Sequence, residues 1–226
     1  EDAWFDEPAR LARDAGAQML AVLNASPFHA GKGPEREQRM RERVADSGLP
    51  LIYAHLVGGQ DEVIFEGRSF ALNAQGETVA RAEGFREADL AVQTSVGQQG
   101  VDLSAAPEAL VPMASADAEL WDALVLGVRD YLGKNGFKGA ILGLSGGIDS
   151  ALVLAIAVDA IGADKIHAVM MPSPYTADIS WIDSRDMVKR LNVRYDEISI
   201  APLFDGFKQA LSAQFEGLKE DTTEEN

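Results

Sequence analysis

Residues 140–157 read AILGLSGGIDSALVLAIA, and this stretch decides how the second half of the chain folds. The apolar run 139–144 reads as a buried strand, and DSALVLAIAVDAIG, from Asp149, as an apolar helix. Between them lies the loop Gly143, Leu144, Ser145, Gly146, Gly147, Ile148, Asp149 and Ser150. Glycine at 146 and 147 lets backbone N–H groups approach an anion without side-chain interference. Ser145 and Ser150 add hydroxyl donors, and the helix start adds the positive end of its dipole. The Asp149 carboxylate repels a phosphate directly, but it suits a phosphate bridged by Mg2+. The loop is no Walker A motif, because Ile148 and Asp149 stand where Lys and Ser or Thr are required. A glycine-rich turn with Asp149 or Ser150 capping the helix is the purely structural alternative.

Working outward, ELWDALVLGVRDYLGKNG from Glu119 has the spacing of an amphipathic helix closed by Gly136. KIHAVMMP reads as a strand, WIDSRDMVKRLN as a helix and YDEISI as a strand. Strand, helix and strand in alternation imply parallel crossover units. Upstream, residues 7–18 have helical spacing with Leu11 and Ala15 on one face, and MLAVLNA reads as a buried strand. EREQRMRERVADSG is a charged helix ended by Gly48; its Arg36, Arg39, Arg41 and Arg43 alternate with Glu35, Glu37 and Glu42, which predicts a solvated, salt-bridged face. PLIYAHLVG, VIFEG, SFALNAQGETVARAE and ADLAVQTSV read as strands, the third doubling back at residues 73–76. Residues 97–118 lack periodicity and read as a linker. The expected division is therefore 1–96, a linker at 97–118, and 119–226, with both ends reading as cut within a domain.

Composition narrows the function classes. Of 226 residues, 46 % are hydrophobic and none is cysteine, so neither a disulfide framework nor a cysteine zinc site is available. A net charge of −16 argues against nonspecific nucleic-acid binding. No run of about 18 apolar residues predicts a membrane span, and the acidic start EDAWFDE is unlike a signal peptide. The expectation is a cytoplasmic protein. His29, His55 and His167 are scattered without metal-ligand spacing, and His167 falls in a predicted strand.

The string S-G-G-x-D-S between strand and helix resembles the pyrophosphate loop of the N-type ATP pyrophosphatases. With VMMPSPYTADIS and the terminal TTEEN, residues 123–162 look like the synthetase domain of the glutamine-dependent NAD synthetase family. EDAW, NASPFHAGK and VGGQDEVIFEGRSF resemble the second half of that family's nitrilase-like glutaminase domain. The resemblance implies an α/β chain: part of a nitrilase-like α-β-β-α domain, then a Rossmann-like, parallel-sheet ATP pyrophosphatase domain. It implies an ATP-dependent carbon–nitrogen ligase that adenylates deamido-NAD and amidates it with glutamine-derived ammonia, usually as a homo-oligomer. Another glutamine amidotransferase of the same ATP class is the alternative.

By this resemblance, residues 143–150 bind ATP, Asp149 helps hold Mg2+, and Met170, Thr176 and Ser180 fall near the adenine pocket. Ser26 would bind the glutamine head group and Lys32 its α-carboxylate. Their structural alternatives are a turn before Pro27 and a solvated cation. Asn226 falls where the family contacts deamido-NAD, and Glu224 and Glu225 suit the first turn of a helix. The family's catalytic Glu, Lys and Cys lie outside this chain, its Cys immediately before Glu1. The Glu1 N–H would then help form the oxyanion hole.

Overall fold

The computed structural model describes residues 2–98 and 100–214, in two compact units, Glu1–Lys134 and Asn135–Asn226. Asn226, Glu224, Glu225 and Glu1, named for the roles the resemblance implies, lie outside the described residues.

The first unit runs α1 (Glu7–Asp14), β1 (Leu20–Asn24), α2 (Lys32–Ser47), β2 (Leu51–His55), β3 (Val57–Gln60), β4 (Val63–Glu66), β5 (Phe70–Leu72), β6 (Thr78–Arg81), β7 (Gln93–Gly97), β8 (Gly100–Ser104) and α3 (Ala116–Lys134). One sheet has the order β1–β2–β5–β6; β1 and β2 are parallel, and β5 runs antiparallel to both β2 and β6. The period of two along β2 and β5 puts Leu51, Tyr53, Phe70 and Leu72 on one face, where they meet Met40 and Val44 of α2. Tyr53 stacks on Phe70 with ring centroids 4.8 Å apart. Each such buried side chain contributes roughly 1.5–3 kcal/mol. The alternate residues Ile52, Ala71 and Ala80 face a second cluster with Leu103 of β8.

Residues 97–118 thus hold more structure than an aperiodic linker. β8 pairs with β7, and Leu103 is only 2 % exposed, because one apolar residue in a short strand suffices to tie it to the sheet. Two other expectations change. Helix α1 ends at Asp14, and its inward residue is Ala9, while Leu11 is 60 % exposed. The charged face of α2 is salt-bridged as expected, Arg39 with Glu42 and Arg41 with Glu37, but it is only partly solvated: Arg36, Glu37 and Arg43 are buried beside Met40 and Val44, since one helical stripe carries all five.

Helix α3 packs on the β3–β4 hairpin, its Ala123 and Leu126 clustering with Phe28, Val57, Ile64 and Phe85. The Gly59 N–H donates to Asp130 at 2.8 Å, and Lys134 donates back to the Gly59 carbonyl at 2.5 Å. Gly127 permits the approach, since a Cβ there would lie 3.0 Å from Ile64 Cδ1. By packing, α3 joins the first unit, although its sequence texture is that of the strand–helix alternation beyond Gly136.

The second unit runs β9 (Ala140–Gly143), α4 (Ile148–Ile161), β10 (Ile166–Met170), α5 (Asp178–Leu191), β11 (Arg194–Glu197) and α6 (Ala201–Leu211). Its sheet is parallel with β10 central, as the alternation predicted. Leu144, Leu154, Ile166, Ala168, Val188 and Val193 form its core. Helix α6 had no sequence expectation. His167 hydrogen-bonds Asp196 across β10 and β11 at 2.7 Å. Among the described residues no helix is long and apolar enough to cross a membrane.

Candidate functional site

In an open parallel sheet, ligands bind beyond the carboxyl ends of the strands. The loop 143–150 leaves the carboxyl end of β9 and enters α4 at that place. Leu144 is its buried anchor: 3 % exposed, it sits in the core, and its N–H donates to the Val169 carbonyl at 2.9 Å. The rest of the loop is held by its own serines. The Ser145 and Ser150 hydroxyls lie 3.0 Å apart; the Ser150 hydroxyl also takes the Ser145 N–H at 3.2 Å, and the Ser145 hydroxyl takes the Gly147 N–H at 3.2 Å. The structure therefore brings Ser145, Gly146, Gly147 and Ser150 into one turn at the helix start.

Gly146 is required twice over. Its φ is +80°, and a Cβ there would meet the Ser180 Cα and carbonyl oxygen, both at 2.5 Å. Those are backbone atoms at the start of α5 that no rotamer change can move aside. A left-handed conformation alone costs a residue with a Cβ about 1–2 kcal/mol. With the clash added, Gly146→Ala is expected to lose roughly 2–4 kcal/mol, read as a lowered midpoint in urea unfolding.

Asp149 sits exposed in the first turn of α4. Among the described residues no group of three or more His, Asp or Glu side chains could hold a metal by itself. The single exposed Asp149 carboxylate is a donor of the kind Mg2+ takes, since that ion keeps its waters and is usually bound through one or two carboxylates and substrate phosphate oxygens. Met170 and Thr176 are occupied by local structure: Met170 is buried with its sulfur accepting the Tyr195 hydroxyl at 3.3 Å, and Thr176 accepts the Ser173 N–H at 2.9 Å.

In the first unit, Ser26 and Pro27 follow the carboxyl end of β1, beside the equivalent end of β2. Ser26 is held through its backbone. Its N–H lies 3.2 Å from His55 Nε2, and its carbonyl lies 3.3 Å from Arg36 Nη2. The other arm of Arg36 pairs with Glu66, and both are almost fully buried, at 3 % and 2 % exposure. A second buried pair, Arg68 with Glu119, ties the residues after β4 to α3. Glu37 takes Arg41 at 2.8 Å and Arg81 at 3.0 Å. Burial pushes the Glu66 carboxyl up, against the nearby Arg36 charge that pulls it down. Lys32 is not simply a solvated cation: it pairs with Glu35 at 2.9 Å and lies 4.2 Å from the Trp4 ring centroid. The hydrogen bond from Lys32 holds the Glu35 carboxyl below its ordinary range.

Residues 1–99 match the carbon–nitrogen hydrolase family model, and residues 120–226 match that of NAD synthase. One chain thus carries both matches, the hydrolase model first and the NAD synthase model after it. Glutamine-dependent NAD(+) synthetases of Rhodobacter capsulatus and Acinetobacter baylyi are 43 % and 40 % identical to it over its whole length. The chain spans 41 % of each of these relatives. A solved glutamine-dependent NAD+ synthetase from Acinetobacter baumannii, in complex with ADP, matches 99 % of the chain at TM-score 0.90 and 38 % identity, over 42 % of its own length. The nitrilase-like and NAD synthase architectures come in the order the sequence predicted. The serine loop lies within the residues that match the NAD synthase model and the Ser26 turn within those that match the hydrolase model. Sequence reasoning missed Arg36 and His55 as neighbours of that turn. Arg36 was hidden in a charged run, and His55 closes an ordinary alternating strand.

Proposed function

We propose that the chain works within a glutamine-dependent NAD synthetase, which adenylates deamido-NAD with ATP and amidates it with ammonia drawn from glutamine. On this reading residues 1–96 belong to the glutaminase, 97–118 connect, and 119–226 open the synthetase. The observation that carries it is the self-bonded serine loop at the end of parallel strand β9, in an NAD synthase segment joined to a hydrolase segment in one chain.

The chemistry starts from what a carboxylate lacks, which is a leaving group. A carboxylate oxygen of deamido-NAD attacks the α-phosphorus of ATP and pyrophosphate departs. Ammonia then attacks the acyl carbon and AMP leaves with that oxygen. Gly143, Ser145, Gly146, Gly147, Ile148, Asp149 and Ser150 surround the departing pyrophosphate, with Leu144 as the loop's buried anchor. The developing charge on pyrophosphate meets the loop's backbone N–H groups, the serine hydroxyls and the start of α4, which exchange their contacts within the loop for the ligand. Mg2+ held by Asp149 would neutralise charge on the phosphates.

In the hydrolase segment Ser26 binds the amino-acid head of glutamine and Lys32 its α-carboxylate, Lys32 exchanging part of its Glu35 contact for the ligand. Asn226 contacts deamido-NAD. The glutamine-hydrolysing residues themselves belong to the full-length enzyme, which this reading places in the cytoplasm as a homo-oligomer, without nucleic-acid or membrane partners.

The test supplies the full-length enzyme with ATP, Mg2+, deamido-NAD and glutamine. NAD, AMP and pyrophosphate are expected in equal amounts. Pyrophosphate release only with a different carboxylate acceptor would replace the NAD assignment by another amidotransferase of the same ATP class.

A further inference from the structure

Parallel strands β1 and β2 place Asn24 opposite His55, so the turn leaving β1 passes directly over the His55 ring. His55 is 8 % exposed, and both its ring nitrogens face backbone. Nδ1 lies 2.8 Å from the Gly67 carbonyl oxygen, which can only accept, so Nδ1 carries the proton. A neutral ring then has a bare Nε2, and the Ser26 N–H points at it from 3.2 Å. The Ser26 carbonyl, 3.1 Å from the same nitrogen, finds its donor elsewhere, in Arg36 Nη2. That guanidinium nitrogen also lies 3.4 Å from both the Ser26 hydroxyl and the Pro27 carbonyl. The Ser26 N–H is thus taken by an acceptor and the Ser26 carbonyl by a donor. Neither group can exchange roles while His55 stays neutral.

We propose that His55, in its Nδ1–H tautomer, is a positioning residue that works with Arg36 to fix the Ser26 backbone, so that the Ser26 hydroxyl meets the α-amino-acid head group of glutamine. This rests on the glutamine-binding reading of Ser26. His55 touches no reacting atom. It acts by removing the freedom of one peptide, a cost that glutamine binding would otherwise bear. The groups around the ring are Tyr53 on its own strand, Arg36 of α2 and the Gly67 carbonyl just after β4. Burial and the Arg36 charge both disfavour a protonated ring, so a neutral ring is what this pocket accepts.

Two substitutions separate positioning from packing. His55→Asn keeps a donor for the Gly67 carbonyl and removes the acceptor for Ser26. His55→Gln reaches further, keeps an acceptor near the Nε2 position and removes the Gly67 contact. In the full-length enzyme, NAD formation is followed against glutamine and, separately, against ammonium as nitrogen source. His55→Asn is expected to raise the glutamine KM about tenfold relative to the ammonium KM, the effect of one lost hydrogen bond, while glutamine kcat stays within about twofold. His55→Gln is expected to stay within about threefold of the parent KM. Equal glutamine KM values for both variants, whether at the parent value or raised together, overturn the proposal and leave the proposed function standing. A parent enzyme that uses ammonium and cannot use glutamine overturns the glutamine reading and the proposal with it. Should His55→Asn fail to fold, the ring nitrogen shifts of 15N-histidine in the parent decide. A proton on Nδ1 alone is expected, and a proton on Nε2 overturns the proposal.

Discussion

Replacing Asp149 by alanine is expected to abolish pyrophosphate release while leaving the fold and much of the nucleotide affinity in place. The expected loss in kcat is at least about 100-fold, because a metal bound at departing phosphate contributes several kcal/mol to the transition state. The argument rests on placement. Asp149 is exposed in the first turn of α4, one residue before a serine that closes the loop from within. A carboxylate in a helix's first turn is favourable by itself, by about 0.3–1 kcal/mol. The alanine variant therefore gives up little stability, and a large loss of turnover cannot be assigned to unfolding. ATP binding measured by calorimetry in the presence and absence of Mg2+ separates the roles. The Mg2+ enhancement seen in the parent is expected to shrink in Asp149→Ala. A variant that keeps both turnover and the enhancement would reduce Asp149 to a helix-start charge.

The second large effect lies in the first unit and concerns stability. Glu66→Ala leaves Arg36 with its charge, 3 % exposed, and without its carboxylate. Breaking a buried pair from one side costs about 3–5 kcal/mol, whereas replacing both partners with apolar residues of similar size is often neutral or better. Urea unfolding followed by fluorescence of Trp4 and Trp121, both in the first unit, is expected to show the full loss in Glu66→Ala. The double variant Arg36→Met with Glu66→Leu is expected to recover most of it. That same double variant frees the Ser26 and Pro27 carbonyls from Arg36, so stability returns while glutamine use worsens. Recovery of both would mean that the pair serves the fold alone.

Much of the second unit was legible in the sequence because its signals are local. The string from Gly143 to Ser150 carries its own glycines, hydroxyls and carboxylate, and strand–helix–strand alternation predicts a parallel sheet. What could not be read was why Gly146 must be glycine. The answer is the Ser180 backbone, on an element more than thirty positions away. Helix α6 was legible but went unread: Leu203, Phe204, Phe207 and Leu211 recur at helical spacing. In the first unit, α2 misled. Its alternating charges look solvated, and only the partners Glu66 and Arg81, supplied by distant strands, decide which of them are buried. Met40 and Val44 were the available hint, since a stripe holding those two also holds Arg36, Glu37 and Arg43. Ser26 was found through its resemblance to a known loop. The His55 contact beneath it depends on strand register, which no local pattern reveals.

The central claim is that ATP activates a carboxylate by adenylation at residues 143–150. The most direct measurement supplies the full-length enzyme with deamido-NAD labelled with 18O in its carboxylate, together with ATP, Mg2+ and glutamine, and weighs the products by mass spectrometry. The account predicts one 18O atom in each AMP formed and none in pyrophosphate, because AMP leaves with the oxygen that attacked the α-phosphorus. Unlabelled AMP, or 18O appearing in inorganic phosphate, would contradict it.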